Sequence, residues 1–219
     1  MFYHDGKLIV LEGGDGSGKA TQAKLLTIAL ARRAPTNFFT FPRYTKSAFG
    51  DLIRRSLDGE FGNFLKLSPY LASLPYTLDR VRAKYLLLEM LKDGHVVCDR
   101  YTPSNLAYQA AKLPLAARPK FVNFLEQGEY GELGLPKPDL VIYLHVPALV
   151  AAKLIVARAK PDQHEANLAY QAAVIEMYLT LAKSRKNWHI VRCVKNGKLR
   201  SRAEIHKEVF SIVDRHILC

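Results

Sequence analysis

The stretch Gly13-Gly14-Asp15-Gly16-Ser17-Gly18-Lys19 decides the fold of this chain. It follows the apolar run Leu8–Leu11, which reads as a buried strand, and it precedes Thr21–Leu26, which has the composition of a helix. Gly-x4-Gly-Lys between a strand and a helix is the P-loop pattern, in which backbone amides and the helix N-terminus surround phosphate oxygens. The sequence therefore predicts a phosphate-binding loop. Its predicted binding residues are Gly13, Gly14, Asp15, Gly16, Ser17, Gly18, Lys19, Ala20 and Thr21.

One position departs from the P-loop pattern. Where the pattern has Ser or Thr to bind Mg²⁺, this chain has Ala20, and Thr21 comes one residue later on another face of the helix. The loop keeps its phosphate-binding groups but supplies no hydroxyl at the metal position. A second apolar run, His95–Cys98, ends in Asp99, as a Walker-B carboxylate would. We therefore expect Asp99 to compensate for Ala20.

The composition favours a globular chain with a small anionic partner. The chain has 219 residues, 49% of them hydrophobic, and a formal net charge of +12 at pH 7. A chain of this length can bury one substantial core. Its basic residues are spread along the sequence, without the aromatic-basic array of a nucleic-acid module. The charge therefore indicates small anions bound in a cleft rather than nucleic acid.

Location and redox chemistry follow from what the sequence lacks. It has no apolar run of about eighteen residues, and residues 1–5 have no signal-peptide pattern, so we expect a cytoplasmic protein without a membrane partner. The cysteines Cys98, Cys193 and Cys219 lie far apart without a Cys-x-x-Cys pair. This spacing argues against a disulfide framework and against a zinc site.

Apolar runs alternate with helical patterns along the whole chain. Such alternation predicts a parallel sheet, whose right-handed crossovers place helices on both faces and ligands at the carboxyl ends of the strands. We therefore expect an α/β fold of the P-loop NTPase type, with three α/β/α layers and one domain over residues 1–219. The five predicted strands are Leu8–Leu11, Asn37–Phe41, His95–Cys98, Leu140–His145 and His189–Val194. Loops are expected at Gly59–Lys66, Gly128–Pro138 and Ala157–Glu165.

A long helix is predicted from about Ser68 to Lys92. Tyr76 and Arg80 lie one turn apart on it, and an aromatic ring followed by a guanidinium suits a planar heterocycle with a carbonyl oxygen. Pro75 is expected to kink the helix just before Tyr76. The opposite side carries an apolar stripe, which predicts either core or a dimer interface. The stripe consists of Leu71, Leu74, Leu78, Val81, Tyr85 and Leu88.

The second predicted strand ends in the sequence Phe41-Pro42-Arg43-Tyr44. The carboxyl ends of parallel strands meet at one edge of the sheet, so this turn is expected in the same crevice as the P-loop. Arg43 and Tyr44 can donate hydrogen bonds to an anion there. A solvated loop arginine is the alternative.

A further helix begins at Thr102, with Thr102 as N-cap and Pro103 in the first turn. Ser104, Asn105 and Tyr108 follow on one side of it. An asparagine amide carries both a donor and an acceptor and can pair with the edge of a base, and a tyrosine ring can fill space against a sugar. The alternative is an ordinary helix start.

A short charged segment at about 157–166 is predicted to act as a lid. A partly basic loop opposite a P-loop can close over a nucleotide and supply cations to the transferring phosphoryl group. Arg158 and Lys160 are the candidate cations, and Arg158 is the better one because its guanidinium is a planar multiple donor. His164 has no partner at metal-ligand spacing, so no role follows for it.

Taken together, these motifs resemble the thymidylate kinases, within the nucleoside-monophosphate-kinase branch of the P-loop fold. The resemblance covers nearly the whole chain. Each motif is weak alone, but their order is specific. The motifs are Gly-Asp-Gly-Ser-Gly-Lys at 14–19, Phe-Pro-Arg-Tyr at 41–44, Tyr-Thr-Leu-Asp-Arg at 76–80, Asp-Arg-Tyr at 99–101, Ser-Asn-x-x-Tyr at 104–108 and Asp-x-His-Glu at 162–165.

The resemblance implies ATP-dependent phosphorylation of dTMP to dTDP with Mg²⁺, in thymidine nucleotide biosynthesis. It implies that Arg43, Tyr44 and Arg100 hold the 5′-phosphate of dTMP and that Lys19 bridges the two phosphates. Asp15 would meet the sugar 3′-hydroxyl or the metal shell, and the metal would be held by Asp15 and Asp99 through water. The implied catalytic residues are Lys19, Arg100, Arg158 and Asp15.

For the nucleoside, the resemblance implies that Tyr76 stacks on thymine and that Arg80 reads its O4 edge. Ser104 and Asn105 would face the remaining polar edge, and Tyr108 would stand where a ribose 2′-hydroxyl would clash. The implied substrate-binding residues are Asp15, Phe41, Pro42, Arg43, Tyr44, Tyr76, Arg80, Arg100, Ser104, Asn105 and Tyr108. The resemblance also suggests a homodimer packed through helices.

Two other functions stay open at this point. One is a kinase for another nucleoside or nucleoside monophosphate, which would share the fold and the P-loop. The other is a P-loop protein whose ATP binding drives action on nucleic acid, which the net charge permits. The chain has no Asn-Lys-x-Asp sequence of the GTPase kind.

Overall fold

The computed structural model describes residues 6–151 and 167–218. At its centre is a parallel sheet of five strands in the order β2-β3-β1-β4-β5. All five predicted strands are present, with ends that differ by one or two residues, and the α/β expectation is confirmed. The strands are β1 (Leu8–Glu12), β2 (Thr36–Thr40), β3 (His95–Asp99), β4 (Leu140–His145) and β5 (Trp188–Arg192).

Helices connect the strands and cover both faces of the sheet. They are α1 (Lys19–Leu30), α2 (Ala48–Leu57), α3 (Pro69–Asp93), α4 (Thr102–Ala110), α5 (Arg118–Glu126), α6 (Leu168–Lys183) and α7 (Arg202–Val213). A π-helical segment, Gln127–Glu132, extends α5, and another, Asp214–Leu218, extends α7. Short 3-10 turns occur at Phe64–Lys66 and Leu115–Ala117, and a two-stranded hairpin forms from β6 (Val194–Lys195) and β7 (Lys198–Leu199).

The apolar core divides into two large clusters, one on each face of the sheet. Alternate residues of β1 enter different clusters: Leu8 and Val10 join one, and Ile9 and Leu11 join the other, all fully buried. Successive strand residues point to opposite faces, and both faces are covered. The unbroken apolar run before the P-loop therefore marks the central strand of three layers.

The strand register brings three chain segments to one edge of the sheet. Leu11 of β1 pairs with Asp99 of β3, and Thr40 of β2 pairs with the same aspartate. The P-loop after β1, the turn after β2 and the start of α4 after β3 therefore meet at the carboxyl ends of the strands. This edge is where ligands bind in parallel α/β sheets.

Helix α3 has the predicted extent. Of its apolar stripe, Leu88 is buried and Val81 packs against the core, but the other four residues do not face the core. Leu71, Leu74 and Leu78 are 56%, 46% and 41% exposed, and Tyr85 is 72% exposed. Core packing is therefore the wrong interpretation for these four residues. Arg80, on the face that the sequence pattern marks as polar, is buried. Periodicity identifies an apolar face but does not say which molecule covers it.

Two further expectations differ from the structure or lie beyond it. The segment predicted as a loop at Gly128–Pro138 begins with π-helical turns, and Glu129 within it is fully buried. The predicted lid at about 157–166, with Arg158, Lys160 and His164, lies outside the described residues. In the part of the chain that is described, no helix has the length and apolar character needed to span a membrane.

Candidate functional site

The P-loop has the backbone conformation that its glycines allow. Gly13 has a φ of 159°, and a Cβ at this position would lie 2.5 Å from Ser17 Oγ and 2.8 Å from the Leu144 carbonyl oxygen. Gly18 has a φ of 84° and precedes α1, where no side chain caps the first turn. A Cβ at Gly18 would meet no atom within 4 Å. The loop therefore leaves room and unpaired amides at the start of α1, which suit phosphate oxygens.

Lys19 lies across this loop. Its Nζ donates a hydrogen bond to the Gly14 carbonyl oxygen at 2.8 Å, and the residue is only 7% exposed. Burial, with a further contribution from the charge of Arg100, lowers the pKa of Lys19 to about 8. The ammonium is thus held at the loop and has lost the water that would stabilise its charge. An incoming phosphate would restore that stabilisation.

Asp99 Oδ1 and Ser17 Oγ, which lie near the loop, are buried and have no hydrogen-bond partner in the described chain. Carboxylate and hydroxyl oxygens are the ligands that Mg²⁺ prefers, so this donor set fits the metal that a P-loop ATP site uses. Ala20 is exposed and offers no ligand. Across residues 6–151 and 167–218 there is no cluster of three or more His, Cys, Asp or Glu that could hold a metal by itself.

A pocket of about 530 Å³ opens beside the P-loop. Its wall contains every predicted substrate-binding residue except Arg43, which lines the neighbouring cavity together with Tyr44 and Arg100. The structure thus brings together segments from four parts of the chain. The predicted residues in the wall are Asp15, Phe41, Pro42, Tyr44, Tyr76, Arg80, Arg100, Ser104, Asn105 and Tyr108, joined by Leu57, Asp79, Tyr101 and Gln109.

The end of the pocket next to the P-loop, here called the phosphate end, contains an ion pair between Arg100 and Asp15. Asp15 also accepts hydrogen bonds from Tyr108 Oη at 2.8 Å and from Gln171 Nε2 at 3.1 Å. Burial acts to raise the pKa of Asp15, but the charges of Arg100 and Lys19 outweigh it and lower the pKa. Asp15 is therefore an anion that already has three partners, which favours contact with a metal through water rather than directly.

Glu12, which the sequence patterns did not assign to the site, holds the first turn of α4, which follows Arg100 along the chain. This buried carboxylate accepts hydrogen bonds from the backbone amides of Tyr101 and Ser104, at 2.9 and 3.1 Å, and from Ser104 Oγ at 2.6 Å. Burial raises the pKa of Glu12. No side chain of α4 accepts a hydrogen bond from the backbone amides of its first turn. Glu12 accepts these hydrogen bonds and therefore caps the helix. Glu12 directly follows an apolar strand, and the same signal identified Asp99 in the sequence. This signal could therefore have identified Glu12 as well.

The opposite end of the pocket, here called the base end, contains a second ion pair between Arg80 and Glu129. The two side chains are 2% and 1% exposed. Glu129 also accepts hydrogen bonds from Thr77 Oγ1 and Thr102 Oγ1, each at 2.6 Å, and from Asn105 Nδ2 at 3.2 Å. Burial acts to raise the pKa of Glu129, and the charge of Arg80 reverses this into a lowered pKa. The carboxylate is thus ionised, and both of its oxygens accept hydrogen bonds from the protein.

The remaining predicted residues occupy the walls between these ends. The centroid of the Tyr76 ring lies 6.3 Å from that of the Phe64 ring, and Ser104 Oγ donates a hydrogen bond to Glu12. Asp79, which belongs to the motif at 76–80 but had no predicted role, accepts a hydrogen bond from the Arg43 amide at 2.8 Å. It therefore holds the turn that carries Arg43 and Tyr44.

The sequence is similar to known proteins along most of its length. The sequence model of the family described as Thymidylate kinase matches residues 11–217. Thymidylate kinase of Mycobacterium tuberculosis (strain ATCC 25618 / H37Rv) is 37% identical over 167 residues, which cover 75% of this chain and 77% of the relative. A probable thymidylate kinase of Pyrococcus abyssi is 33% identical over 217 residues, covering 97% and 98%.

A solved structure shares the fold. The thymidylate kinase of Candida albicans superposes with a TM-score of 0.77 at 24% sequence identity, over 96% of this chain and 92% of the other. At 24% identity, this structural similarity supports the fold alone. The match to the family model and the similarity to the sequence relatives show the family. The chain belongs to the thymidylate kinase family.

Proposed function

We propose that this protein catalyses the ATP-dependent phosphorylation of dTMP to dTDP. The observation that carries the proposal is the pocket of about 530 Å³ that joins a P-loop at one end to a buried arginine and asparagine at the other. A nucleoside monophosphate needs a site of this kind, with an anion-binding end facing a second phosphate site. Membership of the thymidylate kinase family supports dTMP as the acceptor.

The reaction is a direct in-line transfer. An oxygen of the dTMP 5′-phosphate bonds to the γ-phosphorus of ATP while the bond from that phosphorus to the β,γ-bridging oxygen breaks, which releases ADP. The acceptor is already ionised, so no general base is needed. Catalysis then depends on alignment and on cations that neutralise the transferring group, which we assign to Lys19 and Arg100.

The loop residues 13–21 would bind the ATP phosphates, with amides of the loop and of the first turn of α1 as donors. When bound, Mg²⁺ supplies charge neutralisation to the β- and γ-phosphates. Asp99, Ser17 and, through water, Asp15 are the residues that would hold it. The buried unpaired oxygens of Asp99 and Ser17 support this assignment.

For dTMP, we assign Arg43, Tyr44 and Arg100 to the 5′-phosphate, and Phe41 and Pro42 to the wall beside it. Arg100 lies within reach of both phosphate sites because its partner Asp15 belongs to the P-loop.

The nucleoside would extend toward the base end, with Tyr76 against the ring and Arg80 and Asn105 at the polar edge. Tyr108, held by Asp15, would exclude a 2′-hydroxyl. Ser104 is assigned to the phosphate end, since Glu12 engages its hydroxyl.

The proposal extends to two features of the whole chain. We propose that residues 1–219 form one thymidylate-kinase-like domain whose lid, at about 157–166, supplies Arg158 or Lys160 as a further cation. We also propose a homodimer that acts in the cytoplasm. The exposed face of α3 formed by Leu71, Leu74, Leu78 and Tyr85 supports the dimer, because an apolar patch of this kind is typical of an interface.

Sedimentation of the wild type and of Leu78→Glu tests the dimer. A mass of two chains that falls to one chain in the variant supports it. Leu115→Glu, at a leucine that is 68% exposed and lies in the 3-10 turn Leu115–Ala117 outside α3, is the control and should leave the mass unchanged.

A coupled assay of ADP release across all nucleoside monophosphates tests the activity. We expect dTMP to be the preferred acceptor. Activity only with another monophosphate would replace the substrate assignment, and salt-dependent oligonucleotide binding without kinase activity would replace the function.

A further inference from the structure

Glu129 is the most heavily hydrogen-bonded side chain at the base end of the pocket. Arg80 donates to it through both Nε and Nη2, and Thr77, Thr102 and Asn105 donate as well. These donors come from α3 and α4, while Glu129 itself comes from the π-helical segment Gln127–Glu132. A single ionised carboxylate therefore ties together both helices that form the base end.

The bonds to Glu129 decide which way the Asn105 amide points. Asn105 Nδ2 donates to Glu129 Oε1 at 3.2 Å and to the Ser73 carbonyl oxygen at 3.2 Å. A carboxylate and a carbonyl accept hydrogen bonds but cannot donate them. A flipped amide would therefore place Oδ1 against two acceptors. The observed orientation leaves Oδ1 buried in the pocket wall without a hydrogen-bond partner in the described chain.

The same carboxylate engages one side of the Arg80 guanidinium. Nε and Nη2 donate to Glu129, and Nη1 does not. Arg80 lines the pocket together with Asn105. The base end thus presents the Nη1 amino group as a donor and the Asn105 Oδ1 atom as an acceptor.

We propose that Glu129 is the positioning residue for base selection, fixing Arg80 as donor and Asn105 as acceptor so that the pocket takes a pyrimidine with a carbonyl beside a ring N–H. This inference rests on the proposed function. Thymine and uracil carry that edge, with O4 as acceptor and N3–H as donor. Cytosine reverses it, with a 4-amino donor and an unprotonated N3. The 4-amino group of cytosine would face the Arg80 donor, and its N3 would face Asn105 Oδ1, which is also an acceptor. A flip of the Asn105 amide would relieve the second mismatch, and Glu129 prevents that flip.

The substitution Glu129→Gln tests this role. Its amide offers one acceptor and one donor in place of two acceptors, so Asn105 is free to flip and Arg80 loses its bidentate anchor. We expect the ratio of kcat/KM for dTMP to kcat/KM for dCMP to fall at least about tenfold, since unmatched polar groups carry most discrimination of this kind. The KM for dTMP should rise while the KM for ATP stays constant.

The matched control is Glu126→Gln, three residues earlier. Glu126 accepts a hydrogen bond from Arg185 Nη2 at 2.9 Å and is not part of the pocket wall. A loss of folded protein lowers kcat equally for both nucleotides and leaves their ratio unchanged. The ratio therefore separates positioning from general destabilisation. We expect the control to keep the wild-type ratio.

The outcomes distinguish this inference from the function on which it rests. A wild type inactive on dTMP overturns the proposed function. A wild type active on dTMP, together with a Glu129→Gln variant that keeps the wild-type ratio, overturns only the role of Glu129. If Glu129→Gln does not fold, Glu129→Asp decides: it keeps the charge but withdraws the carboxylate by one methylene, and an unchanged ratio in this variant also overturns the proposal.

Discussion

The two ends of the pocket each contain a buried arginine–carboxylate pair, but the pairs differ in accessibility. Arg80 and Glu129 at the base end are 2% and 1% exposed, and Arg100 and Asp15 at the phosphate end are 19% and 15% exposed. The first carboxylate is enclosed by donors from two helices. The second belongs to the P-loop and faces the space where phosphates would lie. A shielded pair can fix a recognition pattern, whereas an accessible pair can exchange one anion for another.

The largest expected effect is at the phosphate end, in the substitution Lys19→Ala. Removing the buried ammonium of the loop should lower kcat about a thousandfold or more, because charge neutralisation carries most of the catalysis in phosphoryl transfer. Steady-state kinetics with dTMP and ATP measures it. Lys24→Ala, at an exposed lysine further along α1, is the control and should keep wild-type turnover. If Lys19→Ala keeps its turnover, Lys19 of the loop has no catalytic role.

The two pairs should also differ in their contribution to stability. Glu129→Leu leaves the Arg80 guanidinium buried without its counter-charge, so we expect the free energy of unfolding to fall by about 3–5 kcal/mol. Asp15→Asn at the more accessible pair should cost less, because solvent can reach part of the arginine that it leaves. Urea denaturation measures both. Equal losses would mean that accessibility does not distinguish the pairs.

Tyr108 lines the pocket and donates a hydrogen bond to Asp15. If its ring excludes a 2′-hydroxyl, as proposed, Tyr108→Ala should raise activity on the ribonucleotide TMP relative to dTMP by about tenfold. Tyr108→Phe keeps the ring but loses the hydrogen bond to Asp15, so it should retain the discrimination. The ratio of the two kcat/KM values is the measurement. An unchanged ratio in the alanine variant would remove Tyr108 from this role.

The smallest expected effect is the uptake of a proton by Lys19 when ATP binds. The pKa of Lys19 is lowered to about 8 in the free protein, and a bound triphosphate should raise it, so binding takes up a proton. Uptake should be small at pH 7 and approach one proton near pH 9, and affinity should fall as pH rises above about 8.

Calorimetry of ATP binding in two buffers of different ionisation enthalpy measures this uptake. Lys19→Arg should abolish it, because arginine stays protonated throughout this range. Glu129→Gln should leave it unchanged, since the base end has no part in it. Uptake that is independent of the residue at position 19 would assign the proton to another group.

Most of the phosphate end carries local sequence signals, whereas Glu129 at the base end carries none. The P-loop, the five strands and Asp99 are marked by short local patterns: an apolar run, a glycine spacing, an acid at a strand end. Glu129 lies between Gly128 and Gly131, where the local sequence indicates only a loop. Its burial depends on Arg80, which is distant along the chain, and on a π-helical segment that no periodicity predicts.

The α3 stripe shows a different limit of sequence patterns. The spacing of its apolar residues predicts that they share one side of the helix. In the single chain, however, Leu71 and Tyr85 on that side are exposed to solvent, and the buried side of the helix carries Arg80. The spacing of apolar residues tells which side of a helix is apolar, and only the neighbours in space determine whether that side is buried. Polar residues that are satisfied by distant partners therefore appear as surface residues in the sequence.

Glu12 has a consequence for how the two substrates influence each other. It is the last residue of β1, so it is joined covalently to the P-loop, and it also anchors the first turn of α4. A shift of the loop on binding ATP would therefore move the helix that carries Ser104, Asn105 and Tyr108. Thermodynamic reciprocity then requires that each nucleotide change the affinity of the other by the same factor. One carboxylate outside the pocket wall would thus link the two binding sites.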